Sequence, residues 1–218
     1  MVAELVPKSV IAADVGTDHG YLAVWLLQSG RAERVLATDI HSGPLNRAKQ
    51  TAVEFGLESE IETHLCDGLQ FSGAEQAESI VIAGMGGETM ISILSAAPWT
   101  KQGRTLILQP QSKRPELEQW LHENGYTTTD AKLCFDAGKL YLAITVRGVP
   151  SEILQTAEVL LLRNRDPLLP EFLSQEAQKI EYALKGMEQA ERDLTAIRAQ
   201  LSKRLEQLQS YQKEVAQW

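Results

Sequence analysis

The sequence predicts an α/β fold: a mostly parallel sheet flanked by helices, closed by an antiparallel hairpin and followed by a helical appendage. Three observations predict it. Apolar, strand-like runs alternate with helical stretches through the first 126 residues. Two β-rich runs then face each other across a glycine-bearing turn. Beyond residue 149 glycine disappears until 186, and apolar residues recur at every seventh position.

Strands are expected at 10–15, 35–39, 61–66, 79–84 and 104–109, and helices at about 20–29, 44–56, 87–96 and 114–124. Pro44 suits the start of the second helix, where its missing N–H would have no partner in any case. Such alternation implies right-handed βαβ crossovers and a parallel sheet. Thr127–Phe135 and Leu140–Arg147 are β-rich runs joined by Asp136-Ala137-Gly138-Lys139, a hairpin signal. Composition shifts after Gly148-Val149-Pro150, so two domains are expected, 1–148 and 149–218. In the second, Leu173, Ile180, Met187, Leu194, Leu201, Leu208 and Val215 fall on one heptad position. The companion position is mixed (Ala177, Leu184, Glu191, Arg198, Leu205, Gln212), which predicts a helical hairpin or short coiled coil with a half-apolar seam. Pro167 and Pro170 mark a break before the long helix.

Bulk properties narrow the function. The chain has 218 residues, 44% of them hydrophobic, enough for a normal core. No apolar run approaches a membrane span, and no basic-then-apolar leader opens the chain. Cys66 and Cys134 sit in apolar surroundings and are expected as free thiols in a reducing compartment. His19, His41, His64 and His122 show no metal-ligand spacing. A cytoplasmic, metal-free protein without membrane attachment is therefore expected. A formal charge of −8 argues against a generic nucleic-acid binder but leaves room for a local basic face.

The chemistry concentrates in Val10–Tyr21, where an apolar run enters Asp14-Val15-Gly16 and a helix starts near Gly20. A buried strand ending in a glycine turn is where α/β proteins hold nucleotide-like ligands. Gly16 permits both the turn and a close ligand approach. The second strand ends in Asp39 beside Ile40, a carboxylate placed to accept hydrogen bonds from both ribose hydroxyls. Asp18 occupies the second glycine position of the usual dinucleotide fingerprint and would repel a pyrophosphate. A cofactor without phosphate and with a positive centre fits better, namely S-adenosylmethionine (SAM). Asp14 or Asp18 would meet its ammonium; alternatively Asp14 caps the turn and Asp18 the helix.

Three further strand ends converge on the same edge. The third gives Asp67-Gly68, with Asp67 a candidate acceptor for the adenine amino group. The fourth gives Ala83-Gly84-Met85-Gly86-Gly87, the position where amino-methylating enzymes of this fold grip the target nitrogen with an Asp/Asn-Pro-Pro-aromatic motif. Here the grip would fall to backbone groups, or the glycines serve tight helix–sheet packing. The fifth gives Gln109-Pro110-Gln111, two carboxamides at the rim that read a base edge or hold the backbone in place.

Parallel βα units closed by a hairpin resemble the seven-stranded, Rossmann-like sheet of class I SAM-dependent methyltransferases. More narrowly, Asp14-Val-Gly-Thr-Asp-His-Gly-Tyr21, Ala83-Gly-Met-Gly-Gly87 and Gln109-Pro-Gln111, followed by Glu118-Gln-Trp-Leu121 and Gly125-Tyr126, resemble the bacterial tRNA (adenine-22, N1)-methyltransferase family. Members usually open on a helix with a Leu-Ser-x-Arg-Leu stretch; this sequence opens at Ala3-Glu4-Leu5-Val6-Pro7, with one basic residue fewer near the site. The resemblance implies SAM as methyl donor and N1 of one adenine in the tRNA D-arm region as acceptor. It places Asp14, Gly16, Asp18, Asp39, Ile40, Asp67, Gly68, Ala83, Gly84 and Met85 at the cofactor, and Gly86, Gly87, Gln109, Pro110 and Gln111 at the substrate. Asp18 is then the carboxylate expected to stabilise the charge developing on the ring, with His19 second and Tyr21 a stacking or hydroxyl partner. The coiled-coil tail would hold the folded tRNA, with the protein a monomer or weak dimer through that tail. Two other readings are a methyltransferase for a small molecule or protein, and a non-enzymatic coiled-coil interaction protein. Asp14, Asp39 and Asp67 together at strand ends argue against a vestigial site.

Overall fold

The computed structural model describes residues 1–187 and 194–218. The first half alternates strands and helices: α1 (Val2–Leu5), β1 (Ser9–Val15), α2 (Tyr21–Gln28), β2 (Ala32–Asp39), α3 (Ser42–Glu54), β3 (Ile61–Leu65), β4 (Ser79–Gly86), α4 (Gly87–Ala96), β5 (Thr105–Ser112) and α5 (Arg114–Glu123). The hairpin β6 (Thr127–Asp136) and β7 (Lys139–Arg147) follows, then helices α6 (Ala157–Asn164), α7 (Leu169–Met187) and α8 (Thr195–Val215). All seven strands form one sheet in the order β3-β2-β1-β4-β5-β7-β6. β1 to β5 run parallel, and β7 enters antiparallel beside β5, with Leu108 opposite Ile144. This is the predicted fold class, a seven-stranded Rossmann-like sheet with C-terminal helices.

The expected elements agree with the observed ones to within a few residues. The exceptions are the short α1 and the helix α6, which carry little periodicity of their own. Helices cover both faces of the parallel strands, so β1 is buried without interruption from Ala12 to Val15. On one face Ala12, Val35, Ala37, Val81 and Ile107 pack with Ala23, Val24 and Leu26 of α2. Ala137 and Gly138, both at positive φ (45° and 80°), make the hairpin turn, a conformation that matches the twist of the strands.

The chain divides into two compact units, residues 1–132 with 142–157, and residues 133–141 with 158–218. In the second unit α7 and α8 pack against each other. Leu173, Ala177, Leu208 and Val215 are buried there, and Ile180, Met187, Leu194, Leu201 and Leu205 are half-buried, so the heptad line faces inward in both helices. Glu191, on the expected seam, lies outside the described residues. The helix break falls at 165–168, and Pro170 sits in the first turn of α7, where it costs no hydrogen bond. Arg204 of α8 is committed to the fully buried Glu158 of α6 at 2.5 Å, not left as a solvated cation.

In the first unit Tyr126 is wholly buried, with its hydroxyl 2.7 Å from Thr100 Oγ1, which itself donates to the Ala97 carbonyl. Replacing Tyr126 with Phe leaves the ring packing and deletes one buried hydrogen bond. The expected loss is about 1 kcal/mol, lowering Tm by about 3 °C. Thermal unfolding of the variant beside the parent protein measures it.

Candidate active site

The site is built where the parallel strands end. β1 lies between β2 and β4, and the chain runs outward to β3 on one side and to β5 on the other. A crevice therefore opens above the C-terminal end of β1. The register sets Asp14 beside Ala37 and Val81, and Ala83 beside Gln109.

The turn after β1 is held from within. Gly16 takes φ +77°, which calls for a glycine, and its open side is covered by the flexible Met85 methyl group. The Thr38 carbonyl accepts both Gly16 N–H (2.8 Å) and Thr17 N–H (2.9 Å). Thr17 Oγ1 donates to Asp14 Oδ2 at 2.7 Å. Asp14 is buried, and burial pushes its carboxyl up to about 6, against the pull of the Thr17 hydroxyl.

Asp18, four residues on, is the opposite case. It is exposed, sits at φ +48°, and Arg47 Nη2 of α3 donates to its Oδ1 at 2.6 Å. That guanidinium holds the Asp18 carboxyl below its usual range. His19 Nε2 lies 3.6 Å from the other carboxylate oxygen, and the His19 ring stacks on Tyr21 at 5.9 Å. Tyr21 is 63% exposed at the start of α2.

At the end of β2, Asp39 Oδ1 accepts His41 N–H at 2.8 Å, and the exposed Ile40 sets an apolar side chain beside it. Thr38 Oγ1 donates to the Gly68 carbonyl at 2.9 Å and ties β2 to the loop after β3. In that loop Asp67 is exposed and Gly68, at φ +59°, is buried against Ile93.

The glycine-rich end of β4 separates into two parts. Gly84 is exposed, and its N–H is taken by the Gln109 side-chain carbonyl at 3.0 Å. Gln109 is 8% exposed, so it braces the loop, and the exposed Gln111 is the carboxamide left at the rim beyond the buried Pro110. Gly87 is buried, and a Cβ there would strike the Lys113 carbonyl; a Cβ on Gly86 would lie 3.1 Å from Ser112 Oγ. Packing of α4 on the β5–α5 connection therefore accounts for Gly87.

The strand ends bring together the residues expected at the cofactor. Three residues that brace these loops, Thr17, Thr38 and Arg47, were not foreseen. Thr17 and Thr38 were visible as polar residues within or next to apolar runs. Arg47 lies far from its partner Asp18 in sequence and gave no local signal.

The sheet order and the acidic strand ends define a methyltransferase domain, and the chain belongs to that family, which matches residues 1–144. It is 35% identical over 141 residues to the tRNA (adenine(22)-N(1))-methyltransferase of Bacillus subtilis, a match spanning 64% of this chain and 59% of that protein. The chain thus matches about three fifths of that relative's length. The crystal structure of the B. subtilis m1A22 tRNA methyltransferase superposes with a TM-score of 0.83 at 27% identity, covering 97% of this chain and 95% of that one. A Streptococcus pneumoniae candidate tRNA (m1A22) methyltransferase, solved with S-adenosyl-L-methionine, gives a TM-score of 0.81 at 27% identity, covering 97% and 96%.

Burial of Asp14 has a consequence for stability. Its folded value, about 6, stands above the ordinary 3.8, so the fold favours the protonated form. That contribution is complete below about pH 4 and is lost as pH rises through about 6, a change of about 3 kcal/mol. Urea unfolding between pH 4 and 7 should show the loss in the parent protein, and Asp14→Asn should remove it.

Proposed function

We propose that this chain transfers a methyl group from SAM to N1 of adenine 22 in tRNA. One observation carries the reading: two carboxylates, Asp14 and Asp39, flank a glycine turn at the switch point of a methyltransferase sheet. Likeness to enzymes named for this reaction supplies the acceptor.

The residues fit the cofactor. A buried carboxylate whose partner is one hydroxyl is a poor anion site and a good cation site, so Asp14 suits the ammonium. Gly16 presents bare backbone under the Met85 side chain. Asp39 spends Oδ1 on His41 and keeps Oδ2 for the ribose hydroxyls, with Ile40 as an apolar wall. Asp67 and Gly68 border the adenine side, and Ala83, Gly84 and Met85 close the opposite one.

When bound, SAM supplies a methyl carbon that the unprotonated N1 lone pair of adenine attacks in line, so no side chain must remove a proton first. The protein's work is then positioning. The target base must leave its pairing partner to reach the site. The exposed Tyr21 ring, stacked with His19, offers a face for it and for the cationic product. The exposed carboxamide of Gln111 would read a base edge. The helical unit grips the folded D-arm region, where Arg198 and Lys203 are exposed while Arg204 is spent on Glu158. Phosphate contacts of this kind make affinity fall with salt. On this reading the protein works in the cytoplasm as a monomer or as a weak dimer through the tail; among the described residues no helix is long and apolar enough to cross a membrane.

Methyl transfer from labelled SAM to unmodified bacterial tRNA tests the reading. Label should enter tRNA with adenine at position 22 and not the same tRNA with guanine there. Label on neither, with SAM still bound in calorimetry, would keep the cofactor and reject the acceptor. Separately, Asp39→Ala should weaken SAM binding about tenfold or more by deleting hydrogen bonds to a charged acceptor. An unchanged Kd would remove Asp39 from the ribose.

A further inference from the structure

We infer that Arg47, on the outer helix α3, is a positioning residue that clamps the Asp18–His19 loop over the site. The inference rests on the function proposed above. Two independent contacts press that loop onto α3. Arg47 Nη2 donates to Asp18 Oδ1 at 2.6 Å. Gly20 faces Ala48 so closely that a Cβ would lie 3.0 Å from the Ala48 Cα. Between these contacts the backbone is held in an uncommon shape. Asp18 takes φ +48° and Gly20 φ +74°, with Gly20 N–H bonded to the Thr17 carbonyl at 2.9 Å.

A non-glycine residue with positive φ carries a conformational cost and persists where its surroundings hold it. The Asp18 carboxylate supplies the hold, because Arg47 takes one oxygen and His19 stands 3.6 Å from the other. The loop so fixed carries His19 and Tyr21, whose rings stack at 5.9 Å, and leads directly into α2. Arg47 therefore acts through Asp18 on the aromatic face that receives the base.

The pair is exposed on both sides, with side chains 43% and 60% accessible. Exposed ion pairs add little to global stability, so the effect of this one is local. The Arg47 Nε is enclosed without a hydrogen-bond partner, so this part of the side chain is covered by protein while its tip reaches Asp18. A merely structural arginine would change stability and leave turnover alone. A clamp does the reverse.

The experiment compares Arg47→Ala and Arg47→Lys with the parent chain by methyl-transfer kinetics, SAM calorimetry, thermal unfolding and amide hydrogen exchange. For Arg47→Ala the expected result is faster exchange at residues 17–20 and a kcat about tenfold lower or more. SAM Kd should stay within about twofold and Tm within about 2 °C. Arg47→Lys should recover most of the loss, because the observed contact is one nitrogen on one oxygen. Unchanged exchange at 17–20, or full turnover by Arg47→Ala, overturns the clamp. If the parent protein transfers no methyl to tRNA, the proposed function fails on its own and the exchange result alone decides the clamp.

Discussion

The parallel pairing of β1 with β2 on one side and β4 on the other is the constraint on which the site depends. It sets Asp14 level with Ala37 and Val81 and brings the ends of five strands to one edge. Side chains alternate between faces along a strand, so a slip of one residue would turn Asp14 to the opposite face. The register is fixed by burial, since Ala12, Ala13, Val35, Val81 and Ile107 are all enclosed by helices. Thr38 extends this order into the loops. Its carbonyl caps the glycine turn of β1 and its hydroxyl holds the loop after β3, so one residue of β2 locks both neighbours.

On that frame the two carboxylates of the first loop take opposite electrostatic roles. Asp14 and Asp18 are four residues apart, yet burial raises one carboxyl and Arg47 lowers the other. An alternative left open by the sequence, which of them faces a cationic ligand, is weighted by this difference. A buried carboxylate with one hydroxyl for company gains most from an incoming ammonium, because its ionised form is the one that burial disfavours. Asp18 already has its cation. Its carboxylate is better placed to shape the loop than to neutralise a ligand.

Most of the fold was legible because its signals are local. β1, β2 and β4 are short apolar runs that end at or beside Asp or Gly, β5 is an apolar run that ends in Gln-Pro-Gln, and the hairpin announced itself through Ala137 and Gly138 at the turn. α6 was missed because its hydrophobic face is short, and its start depends on a distant partner: Glu118 Oε1 accepts the Ala157 N–H at 2.9 Å. The placement of the candidate residues was legible only in part. Asp14, Gly16 and Asp39 are written into strand ends, where topology alone assigns a place. Arg47 is not, because its meaning comes from the packing of α3 on a loop 29 positions earlier. Gly84 and Gly87 look alike in the sequence and differ in kind, one exposed and braced by Gln109, the other filled by the Lys113 backbone.

That last difference bears on how a base would be gripped without the Asp/Asn-Pro-Pro-aromatic motif. The sequence left two readings for the glycine loop, backbone groups that grip the base and tight helix–sheet packing. Gly84 N–H is already spent on Gln109, and Gly87 is closed off by packing. A donor engaged inside the protein gives a ligand nothing without first breaking its own bond. The loop is then best understood as a shaped floor: Gln109 fixes its height, and Met85 reaches back across Gly16 to join it to the first turn. In the function proposed above, the grip would fall to groups that face solvent, among them the Tyr21 ring and the Gln111 carboxamide. Stacking on an aromatic face together with one edge contact holds a flipped base without charge, and in-line transfer to a neutral ring nitrogen asks for no more than that.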